Sequence, residues 1–186
     1  MSGEANMRWD RETLASVRQG AQGPTWRLFR FSEPTLTYGR LQQAASIRAI
    51  APAGWPLVQR PTAGGAVRHD GDLCLSLCWR YGTVPMPASP RAIYQWIHTR
   101  LLDALQDVGD LHLATCAETP RPAAGMDRRQ CFQEPVGYDV MQGVAKIAGG
   151  AMAFQKDAVL YQGSIQTVDI ERTADALRRV FSAFLL

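Results

Sequence analysis

A cysteine and a lysine fifteen residues apart, Cys131 and Lys146, are the side chains in this sequence best suited to covalent chemistry. Cys131 closes a polar loop that carries Arg128 and Arg129. Positive charge beside a thiol favours the thiolate, the form that attacks a carbonyl to make a thioester. On chemistry alone the same cysteine can equally pack, half-buried, on Phe132. Lys146 heads the apolar, small-residue stretch "KIAGGAMAF", and it is one of only two lysines among 20 basic residues. Where arginine fills nearly every basic position, a lysine suggests work for a compact, movable ammonium: polarising an acyl carbonyl or holding a phosphate. The other reading is an edge-strand lysine that blocks sheet pairing. Gly149, Gly150 and Ala151 weaken a strand unless something lies against it, and a flat glycine surface suits an alkyl chain.

A second candidate region is "RPTAGGAVRHDGD", residues 60–72. Thr62, Gly64, Gly65 and Ala66 form a turn whose backbone can approach a ligand, with Arg60 and His69 at its edges. The pattern is neither the phosphate loop G-x-x-x-x-G-K-S/T nor the dinucleotide loop G-x-G-x-x-G, and a plain hairpin turn accounts for it equally well. His69 can act as acid, base or hydrogen-bond donor, or be an ordinary loop histidine. His98 and His112 read as structural. Cys74 and Cys78 share one face of a strand and read as core, as does Cys116 at a strand end.

The elements that must position these residues follow from periodicity. "NMRWDRETLASVRQ" is an amphipathic helix with Met7, Leu14 and Val17 near one face. "TWRLFRF", "TLTYG" and "LVQR" read as strands, with a short helix in "LQQAASIRAI" before the last of them. In "LCLSLCWRY" Leu73, Leu75, Leu77 and Trp79 face one way, Cys74, Ser76 and Cys78 the other. The clearest helix is "SPRAIYQWIHTRLLDALQDVG", capped by Ser89, opened by Pro90 and ended by Gly109. "LHLATC" is a strand and residues 117–130 a polar loop. "YDVM", "AKIAGGAMAF" and "AVLYQGSI" predict an antiparallel meander with turns at "QG" and "KD". A closing helix starts near Asp169 or Thr167, with Ile170, Ala174, Leu177, Val180 and Phe181 on its apolar face. Local hairpins with interspersed helices predict an α+β fold of mixed or antiparallel sheets packed with helices.

The whole chain sets limits. At 186 residues it is read as one domain, 1–186, with an ordinary apolar fraction of 46% and charged fraction of 20%. A net charge of +3 from scattered basic residues gives little case for nucleic acid but leaves room for an acidic partner protein. No apolar run approaches the roughly 20 residues of a membrane span. With no signal pattern and no paired cysteine spacing, the expected setting is a reducing, cytoplasmic one, and the expected state a monomer.

Taken together these segments resemble the lipoate–protein ligase and octanoyltransferase family of the biotin/lipoate ligase superfamily. "RPTAGGAVRHDGDL" is similar to the family's R-R-x-x-G-G-(G/R)-A-V-x-H-D, "KIAGGA" to its K-(I/V)-x-G-S-A, and "LYQGSI" to its L-Q-H-G-S-I. "NMRWDRETL" and "TLTYGRLQ" resemble its N-M-A-x-D and L-G-R-x-Q, so the likeness runs from about Asn6 to Asp169. "CFQEPVGYDV" resembles C-F-x-x-P-S-x-Y-E-(L/I) of the cysteine-dependent transferase branch, and no cysteine follows Lys146.

The resemblance implies a ligase-like catalytic domain without a C-terminal accessory domain. It implies transfer of an octanoyl or lipoyl group from acyl-carrier protein, or another lipoyl protein, to a lysine of a lipoyl domain or glycine-cleavage H protein. Cys131 would be the nucleophile and Lys146 the carbonyl-polarising group. Arg60, Thr62, Gly64, Gly65, Ala66, His69, Gly149, Gly150, Ala151, Gly163 and Ser164 would bind substrate. The transferase reading needs no cofactor. The alternatives are a ligase using ATP and Mg, and a non-catalytic relative that binds an acyl chain. This chain departs from the family pattern at Gln59, Gly150, Tyr161 and Gln162.

Overall fold

The computed structural model describes residues 1–115, 135–182 and 184. Ser2 opens the first helix, its Oγ accepting from the Ala5 amide at 3.3 Å. The helix, α1 (Gly3–Gln19), begins three residues before its predicted start and ends on Gly20 in the left-handed region (φ 75°). There follow β1 (Thr25–Phe29), β2 (Thr35–Tyr38), α2 (Ala44–Arg48), β3 (Leu57–Gln59), β4 (Val67–His69) and β5 (Leu73–Arg80). Helix α3 (Pro90–Ala104) is capped by Ser89 as its sequence predicts. It stops one turn short of Gly109, because Leu105 leaves helical geometry and a 3₁₀ turn, Gln106–Val108, carries the chain on. Then come β6 (His112–Leu113), β7 (Val140–Gln142), β8 (Ala145–Gln155), β9 (Ala158–Ile165) and α4 (Ile170–Ser182). Asp169 caps α4, accepting from the Arg172 amide at 3.1 Å.

Six strands form an antiparallel sheet in the order β1-β5-β9-β8-β7-β6. The predicted meander is its β9-β8-β7 portion. A smaller sheet, β3-β2-β4, pairs β2 parallel to β3 and antiparallel to β4. Strand β4 lies inside the segment that reads as a plain glycine turn. Three residues are too few to show a period, and pairing with β2 is what makes them a strand.

The large sheet separates two layers. One face carries Leu73, Leu75, Leu77 and Trp79 of β5 with Val159, Tyr161 and Ile165 of β9, packed under Ile93 and Ile97 of α3 and Leu177 and Phe181 of α4. Each such side chain, taken fully out of water, contributes roughly 1.5–3 kcal/mol. On the other face Leu14 and Val17 of α1 cover Cys78, Ala153 and Leu160. Beside α1 on that second face lies the small sheet, leaving a cleft between the two sheets. Among the described residues no helix is long and apolar enough to cross a membrane.

Candidate active site

Lys146 reaches the cleft because β8 is irregular. Met141 of β7 pairs with Lys146, but the residue before it, Val140, pairs with Ala148, so Ile147 is an extra residue. The bulge turns Lys146 to the face opposite Ala148, onto the side of Gly149 and Ala151. There Lys146 is 8% exposed, and its Nζ lies 2.8 Å from Asp139 Oδ2. An edge-guarding lysine is ruled out: β8 is interior, between β7 and β9.

Asp139 itself is fully buried. Its Oδ2 accepts from the Val136 amide at 2.7 Å and its Oδ1 from Tyr94 Oη at 2.6 Å. Tyr94 Oη in turn accepts from the Gly150 amide at 3.0 Å, standing in for a strand partner where β7 has ended. A buried carboxylate with this many donors is a fixed support for the lysine. Gly149 leaves the room this needs, since a Cβ there would lie 2.1 Å from Lys146 Cε.

The opposite wall of the cleft comes from the small sheet. Arg60, 6% exposed, donates to Thr37 Oγ1 (2.7 Å) and to the Gly65 carbonyl (2.7 Å). Thr37 Oγ1, accepting from Arg60, can give its own proton to His69 Nε2 at 2.8 Å. That assigns the other proton to His69 Nδ1, which donates to Asp72 Oδ2 at 2.8 Å. Asp72 Oδ2 also accepts from Ser164 Oγ and, at 3.4 Å, from Cys74 Sγ. Burial pushes the Asp72 carboxyl up, but these donors outweigh it and hold its pKa below the usual range. Burial drives the Cys74 thiol well above its ordinary pKa and takes Cys78 to about 12, so both are inert.

A cavity of about 430 Å³, counting its open mouth, runs between these walls. Of the expected residues it is lined by Arg60, His69, Lys146, Gly149, Gly150, Ala151, Gly163 and Ser164, and its apolar wall is Met7, Phe29, Phe31 and Val67. Thr62 lies behind this wall, hydrogen-bonded to Gln162. Gly64 is exposed at the turn, Gly65 gives its carbonyl to Arg60, and Ala66 packs with Leu36 and Ile47. Cys131, like Cys116, lies outside the described residues.

Asp139, Tyr94, Asp72, Asp10 and the apolar wall are not singled out by sequence reasoning. Asp139 carries a usable signal, an acidic residue set between apolar ones in "YDVM", and Asp10 carries another, as the acid of "NMRWD" in the N-M-A-x-D resemblance.

His98 lies beneath the site, stacked on Tyr94 with ring centroids 3.9 Å apart, its Nε2 2.9 Å from Tyr161 Oη. Burial, reinforced by the charge of Lys146, takes its pKa from 6.5 down to about 3. Below pH 6.5 the unfolded chain takes up a proton that folded His98 refuses. Stability therefore falls by about 1.4 kcal/mol per pH unit until the folded pKa is reached. Denaturant titrations at about pH 6.5 and about pH 5 should differ by about 2 kcal/mol more in the wild type than in His98→Gln. Equal differences would show that His98 takes up its proton while folded.

The family model described as the lipoyl protein ligase A/B catalytic domain matches residues 2–182. An octanoyltransferase LipM of Kyrpidia tusciae is 31% identical over 95% of this chain and 70% of its own length. The LipM of Staphylococcus aureus is 32% identical over 91% and 64%. The chain thus spans about two thirds of the length of these relatives. Among solved structures, lipoate-protein ligase A bound with ATP superposes with a TM-score of 0.68 at 20% identity, covering 100% of this chain and 82% of that one. A bipartite lipoate protein ligase of Thermoplasma acidophilum, described with its E2 lipoyl domain, gives 0.61 at 19% identity over 95% and 78%. These two likenesses are of fold.

Proposed function

Because this chain belongs to the lipoyl protein ligase A/B catalytic-domain family, we propose that it is an acyltransferase moving an octanoyl or lipoyl group onto a lysine of a lipoyl domain or glycine-cleavage H protein. The donor is acyl-carrier protein, and the acyl group passes through a thioester on Cys131. The observation that carries the reading is the Lys146–Asp139 pair at the polar end of an apolar cleft floored by Gly149, Gly150 and Ala151.

The acyl chain lies against Met7, Phe29, Phe31 and Val67, with its carbonyl toward Lys146. The Cys131 thiolate attacks that carbonyl, and the electron pair moves onto oxygen. The Lys146 ammonium donates to the oxyanion, favouring the charge that develops in the transition state. Collapse expels the carrier's thiolate, which takes a proton. The neutral acceptor lysine amine then attacks the Cys131 thioester, an amide bond forms as the C–S bond breaks, and the proton lost from nitrogen passes to the departing Cys131 sulfur. Neither step calls on a nucleotide or a metal. A reduced Cys131 suits a cytoplasmic enzyme, and a single copy supplies every residue invoked.

Intact-protein mass after incubation with octanoyl-acyl-carrier protein tests this. The expected result is an octanoyl adduct, released by hydroxylamine and absent from Cys131→Ser. A folded protein that never acquires the adduct would overturn the transferase; ATP binding would then separate a ligase from a non-catalytic binder.

A further inference from the structure

We infer that Gln162 is a positioning residue: it latches the glycine loop, residues 60–66, onto the large sheet and so sets the width of the cleft. The kinetic part of this inference rests on the acyltransferase reading; the structural part does not.

Gln162 is 7% exposed, opposite Ala151 on β8 and Ser76 on β5. Its Oε1 accepts from Thr62 Oγ1 at 2.7 Å, and its Nε2 donates to Asp10 Oδ2 at 2.5 Å. A neutral amide suits both neighbours, offering an acceptor to the hydroxyl and a donor to the carboxylate. These bonds span 100 and 152 residues of sequence and join the loop, β9 and α1.

The far end of the latch is rigid. Asp10 Oδ1 accepts from Ser76 Oγ (3.0 Å) and from Arg27 Nε and Nη2 (3.2 and 2.9 Å). Arg27 is clamped between the Trp9 and Phe29 rings, 4.2 and 4.0 Å from their centroids, and its guanidinium also reaches Asn6 Oδ1 and the Asn6 carbonyl, both at 2.9 Å.

The loop, by contrast, is stitched chiefly to its own sheet. Arg60 holds the Ala63 and Gly65 carbonyls, and the Arg40 amide donates to the Thr62 carbonyl at 2.9 Å. Gly39 lets the loop cross it: a Cβ there would lie 2.1 Å from the Gly64 carbonyl oxygen. The loop is thereby tied to the small sheet, and Thr62–Gln162 joins the loop itself to the sheet bearing Lys146, while His69–Asp72–Ser164 links the two sheets farther along β4. Arg60, Val67 and His69 line one side of the cavity; Lys146, Gly149 and Gln162 line the other.

The test uses Thr62→Val, Gln162→Met and the double variant, with Thr62→Ser as the conservative rescue. Hydrogen exchange of the amides of residues 62–66 is read in the unliganded protein, and KM and kcat are read with octanoyl-acyl-carrier protein. Losing the latch should speed loop exchange about tenfold and raise KM about tenfold, the worth of one buried hydrogen bond. It should leave kcat within about twofold, the signature of lost uniform binding. The double variant should be no worse than Gln162→Met, since both changes remove the same bond, and Thr62→Ser should behave as wild type. Additive effects, unchanged loop exchange, or a fall in kcat at constant KM would each overturn the latch. If the wild type transfers no octanoyl group, the acyltransferase reading fails, while the exchange arm still decides whether the latch exists.

Discussion

Lys146→Met is expected to lower kcat/KM for octanoyl transfer by roughly 10²–10³-fold, the usual effect of removing one oxyanion donor. It is also expected to destabilise the fold by about 3–5 kcal/mol, because Asp139 is left buried without its countercharge. The two losses have different causes and can be separated. In the double variant Lys146→Met/Asp139→Asn the stranded charge is gone, while the new side-chain amide keeps a carbonyl for Tyr94 Oη. Denaturant midpoints should recover a substantial part of the lost stability, and turnover should not recover. A Lys146→Met enzyme with more than about a tenth of wild-type turnover would remove the lysine from the oxyanion role. A double variant no more stable than the single one would mean that desolvated charge is not what the ion pair offsets.

The neighbouring glycines should fail in opposite ways. A Cβ on Gly149 meets Cε and Nζ of Lys146 at 2.1 and 2.5 Å, the movable end of a flexible side chain. Gly149→Ala should therefore push the ammonium aside, at a stability cost below the roughly 3–5 kcal/mol of removing it, because the flexible chain can keep part of its pair with Asp139. Displacing a catalytic group by about an ångström costs on the order of a hundredfold in kcat.

Gly150 faces the other layer, where a Cβ meets Tyr161 Oη at 2.4 Å and its ring carbons at 2.5 Å. That ring is fully buried, between α3 and the sheet, and held by His98 at 2.9 Å, so it has nowhere to go. Gly150→Ala should cost about 2–3 kcal/mol of stability through overpacking. Thermal melts and steady-state kinetics on both variants decide the matter: equal loss of activity at unchanged stability would refute the division of labour between the two glycines.

The same geometry links two of the departures from the family pattern. Gly150 stands where the family has serine, and Tyr161 where it has glutamine. A serine Cβ at position 150 would collide with the tyrosine ring, so the two replacements are one physical change. Gln162, in place of the family histidine, occupies the adjacent strand position on the opposite face and serves the loop.

Local pattern was enough to place most of this chain. The 3.6-residue spacing of Ile93, Ile97 and Leu101, with Ser89 and Pro90 ahead of it, specified α3, because capping and amphipathicity act within a few turns. Alternation in β5 and the turn residues at Gln142-Gly143 and Lys156-Asp157 specified the meander for the same reason. The residue types of Lys146, Arg60, His69 and the glycines marked where a site could be, and the motifs around them marked its family.

Tertiary structure decided the rest. A period of two puts Lys146 and Ala148 on one face; only pairing with β7 reveals the extra residue, Ile147, that turns the lysine into the cleft. Thr62, Asp10 and Gln162 become partners through sheet register and the packing of α1, across separations that no local pattern spans. The lysine's charge partner followed the same logic, since Asp139 is set by the pairing of β7 with β8 and by where Tyr94 of α3 comes to rest. Side-chain type and local period are properties of the sequence, whereas which groups meet in a buried, low-dielectric cleft is a property of the assembled layers.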